Sequence, residues 1–447
     1  MNESAANTVS DKAAPPLPSR RYAWYTTVLL TIVYIFSYVD RTILYLLVEP
    51  IKKDLQLTDT EISILMGPAF GFFYVLLPIP LGWLADRRNR TWIVGIGVTL
   101  WSAATIGCGL ARNFVQLFTA RIMVGVGEAS LSPCALPMIA DSFPPEKRGK
   151  PIATYSAALS LGGGIASLAG AGVLVWTESA GSITLPLLGA LKAWQFAFVV
   201  VGFPGIILGL LMFMLREPAR QERLGLAGEG KTGILDAFRY VLSDWRMYLG
   251  FVAIVCVMTT VAYSQGFFAA MFERTWGWPA KEFAIYNGIM NLAMGPATVI
   301  ATGWYIDKLF AKGLKDAPMR VMIAGVIILT STHALAPLMP NGTLAFVMIA
   351  INLIGMASVT AAGSAALMNV APGEIRSQMT ALYFLTISVT GLFLGPTTVG
   401  VLSDSVFGAE NIRYAVALVP VIYGVPLMFT LRATLRRYRQ RVDEVIG

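Results

Sequence analysis

Four ionisable side chains lie inside long apolar stretches of the chain: Asp40, Arg41, Arg121 and Glu128. At the centre of a hydrocarbon layer each costs about 2.5–3.5 kcal/mol, so each must face protein or water and reads as functional. The chemistry open to them is ion exchange. A guanidinium offers a fixed fork of donors suited to phosphate or carboxylate, which fits Arg41 to an anionic group. Asp40 and Glu128 read as a protonatable pair. An apolar surrounding and a neighbouring Arg act on a carboxyl's proton in opposite senses, so an anion reaching or leaving the Arg changes the balance. Arg121 has two readings, partner of Glu128 or second anion ligand. In the structural alternative, Asp40–Arg121 and Arg41–Glu128 are ion pairs that only lock helices; such pairs bring little net stability once desolvation is counted.

Helical spacing relates these groups to one another. Arg121 and Glu128 stand two turns apart on one face, about 10 Å along the axis. Tyr34, Tyr38, Arg41 and Tyr45 share a face and make a wet aromatic stripe, with Asp40 about 100° round beside Ser37.

The elements that must hold them are apolar helices. The 447 residues are 56% hydrophobic and 13% charged, against roughly 25% charged in a soluble globule. Twelve stretches can cross a membrane: 22–48, 61–84, 91–111, 114–141, 150–175, 194–215, 246–272, 282–306, 319–338, 342–370, 376–401 and 412–432. Backbone groups in lipid must be satisfied internally, so these are helices. The net charge of +8 does not indicate nucleic acid. Most Lys and Arg fall in segments on the N-terminal side, the positive-inside pattern that places both termini in the cytoplasm. Arg432, Arg436, Arg437, Arg439 and Arg441 read as a helix end facing headgroups. Cys108, Cys134 and Cys256 lie within spans and read as inert thiols. No cleavable signal is evident, and residues 1–21 read as a disordered cytoplasmic tail.

Residues 216–245 form a charged, Gly-containing cytoplasmic linker that divides the spans six and six: a first bundle over 22–215, a second over 246–432 and a cytoplasmic tail over 433–447. The halves repeat one another. Gly82-Trp83-Leu84-Ala85-Asp86-Arg87 recurs as Gly303-Trp304-Tyr305-Ile306-Asp307-Lys308, and Pro144-Pro145-Glu146-Lys147-Arg148-Gly149 as Pro372-Gly373-Glu374-Ile375-Arg376-Ser377. Two six-helix halves with a midplane site are the plan of a secondary transporter.

On these residues the chain resembles the major facilitator superfamily. GWLADRRNR from Gly82 to Arg90 looks like its loop motif, and Arg121 with Gly125 like its fourth-span motif, with Val124 in place of the usual Gln. It is similar in particular to the spinster-like subfamily, in Val39-Asp40-Arg41, in VGVGEAS from Val124 to Ser130, in IADSFPPEKRG from Ile139 to Gly149, and in LREP from Leu215 to Pro218. The resemblance implies an all-α integral membrane protein of two pseudo-symmetric six-helix bundles, the major facilitator fold. It also implies export of lysolipid or sphingolipid phosphate, with Asp40 and Glu128 as proton and substrate residues.

The loop charges suggest a cytoplasmic gate. The family pattern places Asp86 against the N-terminus of a span in the other half, where the helix dipole favours an anion. Asp141 can pair with Arg87 or Arg90, and Asp307 repeats Asp86, although Asn369 stands where a second Asp141 would be. In the second half no charge is expected at depth. Tyr263, Asn287, Asn291 and Phe268 are expected on a weakly polar, apolar wall opposite the charges, suited to an amphiphile's chain. His333, the single histidine, reads as structural. The Gly162-Gly163-Gly164 run permits close helix approach, and Pro68, Pro78, Pro80, Pro133, Pro137 and Pro296 should bend their helices.

The expectation is therefore a proton-coupled transporter of an amphiphilic anion, monomeric, in the inner or plasma membrane, with no cofactor or metal. The sign of coupling stays open, antiport being suited to an exporter. A small organic-anion or sugar-phosphate carrier is the alternative. A membrane-embedded enzyme or receptor ranks lower: one His, no His/Cys cluster and no Gly-x-Ser-x-Gly leave no hydrolytic machinery.

Overall fold

A backbone in hydrocarbon must satisfy its own polar groups, and the computed structural model of this chain does so with twelve helices long and apolar enough to cross a membrane. It describes residues 16–144, 147–180, 183–185, 189–220, 239–242, 244–370 and 376–446. Much of the expected N-terminal tail, most of the 216–245 linker, and parts of the Pro144 and Pro372 repeats lie outside the described residues. Spans one to six are Arg20–Leu46, Asp59–Ala85, Arg90–Leu110, Phe114–Ser142, Leu161–Ser179 and Ala193–Phe213. Spans seven to twelve are Trp245–Trp276, Ala280–Ala311, Ala317–Leu338, Gly342–Val370, Leu382–Phe407 and Ala409–Met428.

Two features depart from the expectation. A short antiparallel hairpin, β1 (Ile183–Leu185) and β2 (Gly189–Leu191), joins spans five and six. The tail beyond span twelve is a helix, Leu431–Ile446. Its Tyr438 and Val442 are fully buried, Tyr438 donates to the Ala366 carbonyl, and Arg439 pairs with Asp316. One face of this helix is core, so Arg439 serves packing.

Capping and proline set the helix ends and breaks. Span two opens on a capping box in which Thr58 and Glu61 satisfy each other's backbone N–H. It is then interrupted at Gly67 and Leu77, each followed by a proline. Span four divides at Ala129–Ser130, directly after Glu128. Pro133 has no N–H to give the Ala129 carbonyl, which accounts for a break at that point. Pro137 and Pro296 lie within continuous helices.

The halves repeat in packing as in sequence. Span one packs on five as seven packs on eleven, and span three on four as nine on ten. Spans five and eight, and spans two and eleven, join the halves. Gly164 and Gly288 let spans five and eight touch: a Cβ on either would lie 3.0 Å from the other's carbonyl oxygen. One continuous apolar core contains Ile43, Leu44, Leu65 and Met66 of the first half with Phe267, Phe268 and Met271 of the second.

Candidate functional site

Span one positions the charged centre. Its core face, Val33, Ser37, Asp40, Ile43 and Leu44, is buried, and the Tyr34, Tyr38, Arg41 and Tyr45 stripe is part-exposed, as a 3.6-residue period requires. Arg41 Nε donates to Glu128 Oε2 at 2.8 Å, and Nη2 reaches the same oxygen. The guanidinium is held among aromatic rings, its central carbon 4.5 Å from the Phe70 centroid, 4.6 Å from Tyr74 and 5.7 Å from Tyr38. Tyr34 stacks on Tyr155 at 5.1 Å.

Of the two expected ion pairs, Arg41–Glu128 forms. Asp40–Arg121 is not an ion pair in this arrangement. Asp40 is 1% exposed, and its Oδ1 has no hydrogen-bond partner among the described residues. Trp101 Nε1 and Thr105 Oγ1 are the donors nearest the Asp40 carboxyl and meet it outside ordinary hydrogen-bond geometry. Arg121, equally buried, donates from Nε to the Leu65 carbonyl at 3.3 Å, beside the Gly67 break in span two. Its guanidinium carbon lies 5.5 Å from Phe70, so that one ring serves both arginines. Arg121 Nη2 and Glu128 Oε1 are likewise buried polar atoms with no hydrogen-bond partner among the described residues. Buried donors and acceptors are nearly always satisfied, so a cluster of exceptions marks a place where partners change.

The second-half residues fall into two groups. Tyr263 lies within electrostatic reach of Arg41, Tyr34 and Tyr45. Asn287 instead crosses to the first half, donating to Ser167 Oγ at 3.0 Å, and Asn291 donates to Asn287. Phe268 is core, 2% exposed and 5.1 Å from the His333 ring. His333 is itself buried, 3.1 Å from Ser264 Oγ, and its Nδ1 has no hydrogen-bond partner among the described residues.

At the end that carries the termini, Arg90 is buried between Asp141 at 2.7 Å and Glu217 at 2.8 Å, and donates to the Pro218 carbonyl. This ties the LREP segment under the first half. Arg87 lies over Trp83 at 3.8 Å and Lys308 over Trp304 at 4.8 Å, so the sequence repeat is also a repeat of contacts. Gly82 packs near Pro133. Asp86 and Asp307 are exposed, with no ion-pair partner among the described residues.

The second half was expected to carry no charge at depth; at its end away from the termini it does carry a buried one. Arg274, near the end of span seven, has a side chain only 8% exposed. It joins the halves, binding Glu49 at 2.7 Å and Asp59 through two nitrogens at 2.7 and 2.8 Å. Lys52 and Ser403 also donate to Asp59. Lys281 pairs with Glu178. Among the described residues, the ion pairs that join the halves all lie at this end. Charges at span ends are commonplace, which is why these escaped notice; the unusual density of Glu49, Lys52, Lys53, Asp54 and Asp59 in one short connection was the available signal.

This arrangement, two pseudo-symmetric six-helix halves with ionisable groups at their centre, agrees with the sequence relationships. The profile of the Major Facilitator Superfamily matches residues 30–349. The chain belongs to that superfamily. It is 28% identical over 428 residues to an MFS-type efflux pump of Mycolicibacterium smegmatis, covering 95% of each chain. It is 27% identical over 354 residues to a probable L-galactonate transporter of Escherichia coli, covering 74% of this chain and 72% of that one. Within the superfamily it is spinster-like. A crystal structure of a bacterial homolog to the human lysosomal transporter spinster, inward-facing and unoccupied, superimposes with a TM-score of 0.77 at 25% identity, over 96% of this chain and 98% of the other. The protein is a secondary transporter and not an enzyme.

Proposed function

We propose that the protein couples protons to an amphiphilic anion by alternating access, with Arg41 as the anion's binding group. The observation that carries this reading is the shared oxygen: both Arg41 nitrogens hold Glu128 Oε2, while Glu128 Oε1 is buried without a partner. An anion that takes Arg41 displaces Glu128. Released from its cation in an apolar site, that carboxylate takes up a proton. Anion and proton therefore favour each other's binding, and linkage makes the favour mutual. Co-binding at this pair gives symport. Antiport requires a competing site, and Asp40, buried beside the pair with an unpartnered oxygen, is the group to supply it.

An amphiphile fits the surroundings of Arg41. Tyr34, Tyr38, Phe70 and Tyr74 give a head group a cation on an aromatic bed, and Tyr263 faces it from the other half. Lysolipid or sphingoid phosphate is the class proposed, with both termini cytoplasmic by the positive-inside pattern. A small organic anion is the second reading, favoured by the free Nη2 of Arg121, which offers a second guanidinium across Phe70. Proteoliposomes tested with lysolipids, sphingoid phosphates and small organic anions, with and without a pH gradient, decide between them. The proposal expects flux of the phosphate amphiphile that follows the proton gradient; flux confined to small organic anions overturns the substrate class.

A further inference from the structure

The Gly-x-x-x-Asp pattern occurs a third time, at the far end of span eleven: Gly400-Val401-Leu402-Ser403-Asp404. All three of its functional positions touch the first turn of span two. Gly400 lies so close that a Cβ there would be 2.5 Å from the Asp59 carbonyl oxygen and 2.6 Å from Ser63 Oγ. Ser403 donates to Asp59 Oδ2 at 2.6 Å. The Asp404 carboxylate accepts from the backbone N–H of Thr60 at 2.7 Å and of Asp59 at 3.2 Å. The first amides of a helix lack intrahelical acceptors and carry the positive end of its dipole. Asp404 therefore caps a helix of the other half, and the Arg274 cluster braces the same turn through Asp59.

We infer that Gly400-x-x-Ser403-Asp404 is the outer latch of the transport cycle, formed when the end away from the termini is closed and broken when that end opens. Spans two and eleven then hold a reciprocal device. Span eleven ends in an Asp that caps span two, and span two ends in Asp86, which is exposed and has no ion pair among the described residues, placed to cap on the opposite side. Asp404, Ser403 and Gly400 act as positioning residues that set which face is open. This rests on alternating access, and not on the identity of the substrate.

The test is a distance measurement on the full chain in nanodiscs without substrate. Spin labels at Lys53 and Glu410 report the outer end, and labels at Arg88 and Lys312 the inner end. Gly400→Ala is expected to lengthen the outer distance, because the added Cβ meets backbone that cannot move aside while the helix itself is favoured. Asp404→Asn should raise the ratio of outer-open to outer-closed molecules roughly three- to tenfold, from loss of a charged cap. Asp86→Asn should move that ratio the opposite way. Should Asp404→Asn prove unfolded by size exclusion, Ser403→Ala replaces it with the same expected direction. Wild-type distances in folded Gly400→Ala and Asp404→Asn overturn the latch, as does a shift of Asp86→Asn and Asp404→Asn in the same direction. A failed lipid-phosphate assay with these shifts present overturns only the substrate reading.

Discussion

The two ends of this molecule carry the same Gly-x-x-x-Asp pattern in different surroundings. At the end away from the termini, Arg274, Asp59 and Asp404 join the halves, the first two buried and Asp404 exposed but bonded to span two. At the other end, Asp86 and Asp307 are exposed, and among the described residues the ion pairs of Arg90 lie within the first half. The difference separates two uses of charge at a membrane boundary. Among the described residues, Arg90, Asp141 and Glu217 pair within one half, whereas Arg274 and Asp404 bridge the two halves. Between the ends, the Arg41–Glu128 pair belongs to neither class, since in the proposed cycle it exchanges partners.

The largest effect is expected at Arg274. Arg274→Ala leaves Asp59 buried without its main cation, and removing one partner of such a pair costs about 3–5 kcal/mol. The expected result is lower thermal stability together with an outer-open shift of the labelled pair. An equal stability loss from Arg90→Ala without any change in the outer distance would sharpen the distinction between the ends. Next in size, Arg41→Ala should weaken anion binding by about 1.5–3 kcal/mol, the worth of hydrogen bonds to a charged group, read by titration calorimetry; unchanged affinity would remove Arg41 from the site. Glu128→Gln should bind the anion with no dependence on pH where the wild type shows one.

The smallest effect belongs to a charge outside the spans. Burial alone would raise the Asp316 carboxyl, but hydrogen bonds from Arg320 and Arg439 outweigh it and hold the group below the usual carboxylate range. A depressed carboxyl contributes stability above its unfolded value, about 3.9, and loses it as pH falls through the lower folded value. Docking of the 431–446 helix should therefore hold at neutral pH and loosen below about pH 4. Asp316→Asn should reproduce that loosening at pH 7, at a cost of at most about 1 kcal/mol. Amide hydrogen exchange in this helix checks both; protection unchanged by either would contradict the role of the pair.

Much of the fold was legible because lipid imposes a simple rule: length and hydropathy located all twelve spans, and the Gly82 and Gly303 repeats marked the two halves. Asp40, Arg41 and Glu128 stood out for the same reason, as charges where charge is costly. Residue type suggested a second-half wall for Asn287 and Phe268 but could not give the neighbour each meets, so the Ser167 bond and the His333 packing were not foreseen. Arg274 and Asp59 lie at span ends, where an isolated charge costs little and signals little. Gly400-x-x-x-Asp404 was plainly present, yet its meaning depends on which helix begins beside it, and that is a fact of tertiary packing.

The most direct test counts protons. Binding of a lysophospholipid phosphate to the purified protein, followed by calorimetry in buffers of different ionisation enthalpy, gives the number of protons taken up with each anion. Proton uptake by the wild type that vanishes in Glu128→Gln, with anion binding retained, is the predicted result. Binding without proton uptake in the wild type, or the same uptake in both proteins, would contradict the exchange at Arg41 and Glu128.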